Sequence, residues 1–300
     1  MYKRQSLSKA YGVIRRFSED VDLTYDIRAI AADLVGDAET PLPATKNQGN
    51  RWSKKIRARL SDWVNTEILP SLSLDLEQAG VPATARAVGD KVFIDYNPKT
   101  VGTGYVPTAV MLEFGARSTG EPSEPRVVHC DAAAHIQEVE FPAATPQVMR
   151  AERTFWEKAT AIHVFCQQGK IRGGERFARH WHDVTRLDAA GFADAAIGDQ
   201  ALALAVADHK TAFFAEKNDQ GVDIDYHAAV TGRLRLLPDA GALPTLADDY
   251  QQMVDDGLFL ENVESFDELL DQCRDIQRRA NLRLLPPMPA HKGAALHKVK

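Results

Sequence analysis

Strand-like and helix-like signals fall in different parts of this chain, and that segregation constrains its fold more than any other feature. Before about residue 145 lie short β-like runs, chiefly Val21–Tyr25, Lys91–Tyr96 and Pro107–Arg117. Turn-rich stretches such as Asn97-Pro98-Lys99 and Ser118-Thr119-Gly120-Glu121-Pro122 separate them. Beyond that point apolar residues recur at helical spacing through Ala151–Gln168 and Glu175–Leu187, with Gly169–Gly174 as the loop between them. Asp199–Lys217, Asp225–Leu236, Leu246–Leu258 and Val263–Leu284 read as further helices. Ser8–Arg15 and Trp52–Gln78 are also helical in pattern, the second broken at Pro70. Strands grouped ahead of helices predict an α+β domain over 1–145, a mostly helical domain over 146–285 and a flexible tail over 286–300.

With 300 residues, 44% of them hydrophobic and 26% charged, the chain can bury a core, and the disordered, collagenous and disulfide-scaffold classes are excluded. No apolar run approaches the ~20 residues a bilayer crossing needs, and the polar, basic start lacks a signal-peptide core, so a cytoplasmic protein with no membrane partner is expected. The 3 cysteines, Cys130, Cys166 and Cys273, are far apart and lack metal-ligand spacing, which points to reduced thiols. A net charge of −6 speaks against non-specific coating of nucleic acid. Two acid-free basic runs remain: Lys3, Arg4, Lys9, Arg15 and Arg16, then Lys46, Arg51, Lys54, Lys55, Arg57 and Arg59. Without other support they read as solvated faces.

Carboxylates carry the chemistry. In Arg16-Phe17-Ser18-Glu19-Asp20-Val21-Asp22-Leu23-Thr24, strand alternation puts Asp20 and Asp22 on one face and Val21 and Leu23 on the other. Paired carboxylates suit a hard cation, Mg²⁺ when phosphates are also bound; an acidic strand edge is the plainer alternative. Glu113, inside the apolar run Val110-Met111-Leu112-Glu113-Phe114, is either a solvent-facing edge residue or a third metal ligand. Acids on separate strands are what two-metal phosphoryl transfer requires, and together the three point to nucleotidyl transfer.

The helical half supplies the opposite charge. Lys158 shares a helix face with Ala161, Ile162 and Phe165, so it needs an anion, reaches solvent, or pairs with an acid of the next helix. On that helix Arg176, Arg179, Asp183 and Arg186 form a stripe that an intrahelical salt-bridge ladder explains as well as a triphosphate site does. His180 and His182, two apart, point to different helix faces and make no zinc site. Gly169–Gly174 lacks the signature of a phosphate-binding P-loop.

Four stretches resemble the AbiEii-type nucleotidyltransferase toxins of bacterial type IV toxin–antitoxin and abortive-infection systems. They are Ser6-Leu7-Ser8-Lys9-Ala10-Tyr11-Gly12, Arg16–Leu23, Arg153–Lys158 with Ile162-His163, and Arg179-His180-Trp181-His182-Asp183-Val184. The resemblance implies a polymerase-β-like nucleotidyltransferase fold with a helical C-terminal domain. It also implies Mg²⁺-dependent transfer of a nucleotide from an NTP to an acceptor such as tRNA, a phage-defence role, and a cognate antitoxin. By motif position, Asp20 and Asp22 would hold metal and act in catalysis with Lys158 and Asp183. Ser6, Lys9, Arg16, Ser18 and Lys158 would bind the nucleotide. Glu113, as a further metal ligand, rests on the strand argument instead. Lys158 and Asp183 are expected to project into the cleft of Asp20 and Asp22.

The family's Gly-Gly-Thr or Gly-Gly-Ser ahead of the first motif is replaced by Lys3, Arg4 and Gln5, so the start is read as truncated. That departure keeps open a catalytically impaired member acting only through partner binding. A metal-dependent nuclease built on Asp20, Asp22, Glu113 and Lys158 is the other rival, although Glu113-Phe114-Gly115 lacks the Glu-x-Lys of restriction-type enzymes.

Overall fold

The structure, a computed structural model, describes residues 6–16, 20–98, 108–136, 138–169, 176–260 and 263–283. Ser18, the Lys3-Arg4-Gln5 departure, most of the Gly169–Gly174 loop and the 286–300 tail lie outside the described residues. The fold is α+β. Its sheet has the order β1-β4-β3-β2, formed by β1 (Asp20–Asp26), β2 (Ala83–Val88), β3 (Lys91–Tyr96) and β4 (Ala109–Ser118). β1 runs parallel to β4, and the other two pairs are antiparallel. A parallel pair needs a long crossover, and helices supply it here.

The crossover's main element is α1 (Lys46–Trp63), capped where Thr45 Oγ1 accepts from the Gln48 N–H. Trp52, Ile56, Leu60 and Val64, four apart, lie in one core with Phe114 and Ala116 of β4 and Val92 of β3. The expected break at Pro70 does not occur. α1 continues through a π-helical turn, Val64–Ile68, into α2 (Leu69–Gln78), where Pro70 stands in the first turn. The widened turn accommodates a ring that would clash with an ordinary helical carbonyl. β2, missed in the sequence because Ala-Thr-Ala-Arg-Ala-Val carries little apolar bulk, is recruited by pairing with β3.

The helical half comprises α3 (Ala151–Gln168), α4 (Arg179–Ala189), α5 (Phe192–Gly198), α6 (Gln200–Phe213), α7 (Tyr226–Val230), α8 (Leu243–Asp255) and α9 (Phe266–Arg283). Trp156 and Trp181 are fully buried, and their indole N–H groups donate to the carbonyls of Ala196 (3.0 Å) and Leu236 (2.7 Å). Only Tyr226–Val230 of the expected Asp225–Leu236 helix forms. After Gly232, at φ 100°, the chain extends. The Leu234 and Leu236 N–H groups donate to Asn281 and Gln277 of α9, each at 2.7 Å, and the Arg235 N–H donates to His163 Nδ1 at 3.1 Å. Those side chains hold an extended segment across a site where helix propensity alone would have prevailed.

The expected Ser8–Arg15 helix shrinks to one turn, Ser6–Ala10, followed by Gly12 at φ 65° and an extended piece bridged from Arg16 to Phe259. Leu7 and Ile14 bury themselves in the helical core rather than against the sheet, and Phe213 of α6 joins the sheet core. Among the described residues no helix is long and apolar enough to cross a membrane.

Candidate functional site

The register of β1 on β4 sets the acidic face. Asp22 is the Cα partner of Glu113, and Asp20 of Met111. Partners in a parallel ladder point to the same side, so Asp20, Asp22 and Glu113 share one face of the sheet. On β3, Lys91 opposes Glu113, and their charges approach to 3.7 Å. Asp22 and Glu113 line a cleft of about 350 Å³. Gly115 forms part of its floor, where an added Cβ would meet only the Leu23 carbonyl at 4.0 Å, leaving the space above open. Across the cleft stand Glu157 and Lys158 of α3 and Lys210 of α6.

Behind Lys158 lies Asp183 of α4, fully buried. It accepts from Lys158 Nζ at 2.7 Å and from Arg16 Nε and Nη2 at 2.9 and 2.8 Å. Burial by itself would raise the Asp183 carboxyl, but the charges of Arg16 and Lys158 hold it well below the usual carboxylate range. The pairing with an acid of the next helix, open from sequence, is therefore present. Lys158 also faces the cleft that holds Asp22. Asp183 does not project there, because two cations clasp it in the interior. The α4 stripe also ties this helix to its neighbours: Arg186 pairs with Glu264, besides giving its Nε–H to His182 of the same helix at 3.3 Å.

The remaining expected residues sit to one side. Arg16 and Lys9 line a second depression together with Ser8 and His129; Lys9 is ion-paired with Asp131. Asp20 lies within electrostatic reach of Arg16, and Ser6 is buried at the first helical turn. Asp22, Glu113 and Lys158 are thus in one cleft, Lys9 and Arg16 in its neighbour, with Asp183 between. His180 lines the first cleft while the His182 ring packs 4.6 Å from Phe259, so the two histidines diverge as their spacing requires. Sequence reasoning missed Lys210, which pairs with Glu157 at 2.6 Å, and Arg117. The signal for Arg117 was structural: the β1–β4 register slips between Thr24 and Asp26, opposite this part of β4, and such a bulge re-aims side chains.

Among the described residues no three His, Cys, Asp or Glu side chains converge closely enough to hold an ion by themselves. Carboxylates on one sheet face do fit Mg²⁺ that arrives with a nucleotide, because this ion keeps several waters and takes phosphate oxygens beside one or two carboxylates.

A family model described as nucleotidyl transferase AbiEii toxin, type IV TA system, matches residues 6–272. No curated protein matches the sequence. Among solved structures, MenT4, a nucleotidyltransferase toxin from Mycobacterium tuberculosis H37Rv, aligns with 13% identity over 94% of this chain and 83% of that one, at a TM-score of 0.32.

Proposed function

Because this chain belongs to the AbiEii nucleotidyltransferase toxin family of type IV toxin–antitoxin systems, we propose that it transfers a nucleotide from an NTP to an RNA acceptor of the tRNA class. On this reading it needs Mg²⁺, works in the cytoplasm and is silenced by a cognate antitoxin. The observation that supports the reading best is the cleft in which Asp22 and Glu113, on adjacent strands, face a lysine anchored to a buried aspartate.

Asp20, Asp22 and Glu113 would hold Mg²⁺, which when bound supplies Lewis-acid polarisation of the phosphoryl oxygens. Phosphoryl transfer asks little covalent chemistry of a protein and much positioning. Lys158 Nζ, held by Asp183 at 2.7 Å, is oriented before substrate arrives. Its charge then meets the triphosphate without a reorganisation cost. Arg16, fixed by the same carboxylate, extends the positive potential toward the neighbouring depression that Lys9 also lines, and by motif position Lys9, Ser6 and Ser18 would add nucleotide contacts. On this reading a nucleotidyltransferase domain over 1–145 and a helical domain over 146–285 build the site together, interlocked where Leu7 and Ile14 enter the helical core and Phe213 the sheet core.

The test is incubation with each of the four labelled NTPs, Mg²⁺ and total cellular RNA. One NTP should label a small-RNA band, and D22A and K158A should not support labelling. Absence of label with all four would refute the reading.

A further inference from the structure

Four Lys and Arg side chains line the cleft: Arg57, Arg117, Lys158 and Lys210. Two of them are ion-paired locally, Lys158 with Asp183 at 2.7 Å and Lys210 with Glu157 at 2.6 Å. Arg57 and Arg117 make no ion pair among the described residues. Arg117 gives one N–H to the Phe213 carbonyl at 3.5 Å and lays its guanidinium over the Phe214 ring, 4.2 Å from the centroid. That contact fixes its direction without satisfying its charge. Burial, and then the neighbouring Arg57, push the Arg117 pKa down, so the two guanidiniums repel each other in the same wall. Asp90, at the cleft rim, is in electrostatic reach but pairs with neither.

A like-charge pair of this kind is stable chiefly when an anion comes between, and guanidinium forks match phosphate oxygens. Arg57 does not end the positive surface. Lys54, Arg51 and Lys55 continue it along the exposed side of α1, all solvent-exposed and without an ion-pair partner among the described residues. A triphosphate is short and has Lys158 waiting at the acidic end; a surface that leaves the cleft and follows a helix suits a polymer of phosphates.

We propose that Arg57 and Arg117 bind two successive backbone phosphodiesters of the RNA acceptor at the cleft mouth, and that Lys54, Arg51 and Lys55 guide the strand toward them along α1. The inference rests on the reading of this cleft as a nucleotidyltransferase site with an RNA acceptor. It sets the acceptor's approach: over the basic side of α1, past Gly115, with its reacting end at Asp22 and Glu113.

The experiment measures fluorescence anisotropy of fluorescein-labelled bulk tRNA across a KCl series, without NTP or Mg²⁺, for the full chain and for R57Q/R117Q and R57K/R117K. Circular dichroism checks the fold of each. Loss of two phosphate contacts should weaken binding at least about tenfold. It should also make the log Kd against log[KCl] slope shallower by about 1.5. The lysine pair should keep the slope. If R117Q perturbs the half-buried Arg117 site enough to unfold the chain, R57Q alone, at an exposed position, should show about half the slope change. An unchanged slope and affinity, or a parent chain that does not bind tRNA, overturns the proposal. So does a rise in the KM for NTP at constant tRNA affinity, which would assign the pair to the triphosphate. Because binding is read without catalysis, tRNA that binds through these arginines but is never labelled would defeat the transferase reading and leave this site standing.

Discussion

Replacing Asp183 with asparagine keeps the volume and removes one charge from a site with 0% exposure. The perturbation leaves Arg16 and Lys158, with side chains 8% and 11% exposed, converging on an amide that cannot accept from both forks. Breaking a buried pair by deleting one partner costs about 4 kcal/mol, mostly the desolvation of charges left uncompensated. At about 2–3 °C per kcal/mol for a chain of this size, the melting temperature should fall by about 10 °C at pH 7. Acid gives an independent reading. The folded Asp183 carboxyl is held below its unfolded value, so its contribution is complete above about pH 4 and lost as pH falls through the folded value. The gap between parent and D183N should therefore narrow below about pH 4 and stay constant above it. Scanning calorimetry at pH 7 and urea melts from pH 3 to 7 measure both effects. A D183N melting point within about 2 °C of the parent would refute the argument that Asp183 anchors Lys158 and Arg16.

Three further outcomes are expected. D20A and D22A should abolish nucleotide transfer while the chain stays folded, and D20A, which removes a carboxylate that attracts Arg16, should not raise the melting temperature; labelled-NTP transfer and calorimetry check the two halves of that statement. His163 is 1% exposed, and burial pushes its pKa down to about 4, so the folded state resists the proton that the unfolded chain takes up. Its stabilisation should be present above about pH 6.5 and lost as pH falls toward 4, a dependence that H163Q should flatten in urea melts. Gly49 of α1 sits where a Cβ would run into the Ala212 carbonyl at the end of α6, so G49A should destabilise by about 1–3 kcal/mol in urea titrations despite its better helix propensity.

Period and residue type made much of the molecule legible in advance. Ala151–Gln168 and Lys91–Tyr96 form with the expected limits, because long amphipathic periodicity and a β-branched run bounded by turns are strong local signals. The shared face of Asp20 and Asp22 follows from strand alternation alone. Glu113 joins that face through the β1–β4 register, which no local pattern encodes. The segment 231–236 was misread because its conformation is decided by Asn281, Gln277 and His163, all distant in sequence. Arg57 and Arg117 were hidden for a similar reason. One looked like a member of a solvated basic run, and the other is aimed beside a bulge that only strand pairing creates. The role of Asp183 was half visible: its spacing on α4 announced a polar stripe, but its clasp by Arg16 depends on the start of the second motif folding back across 167 positions.

That fold-back also dictates when the protein becomes complete during its synthesis. Leu7 and Ile14 belong to the core built by the later helices, and Arg16 waits for Asp183. At roughly 5–20 residues per second, the ribosome needs on the order of ten to thirty seconds to deliver the partner that Arg16 requires. Throughout that interval Lys158 either does not yet exist or lacks its anchor, while the sheet with Asp22 and Glu113 can form as soon as β4 has emerged. A nascent chain therefore carries the acids of the cleft without its fixed cation, and the opening residues are the last of the first half to find their place.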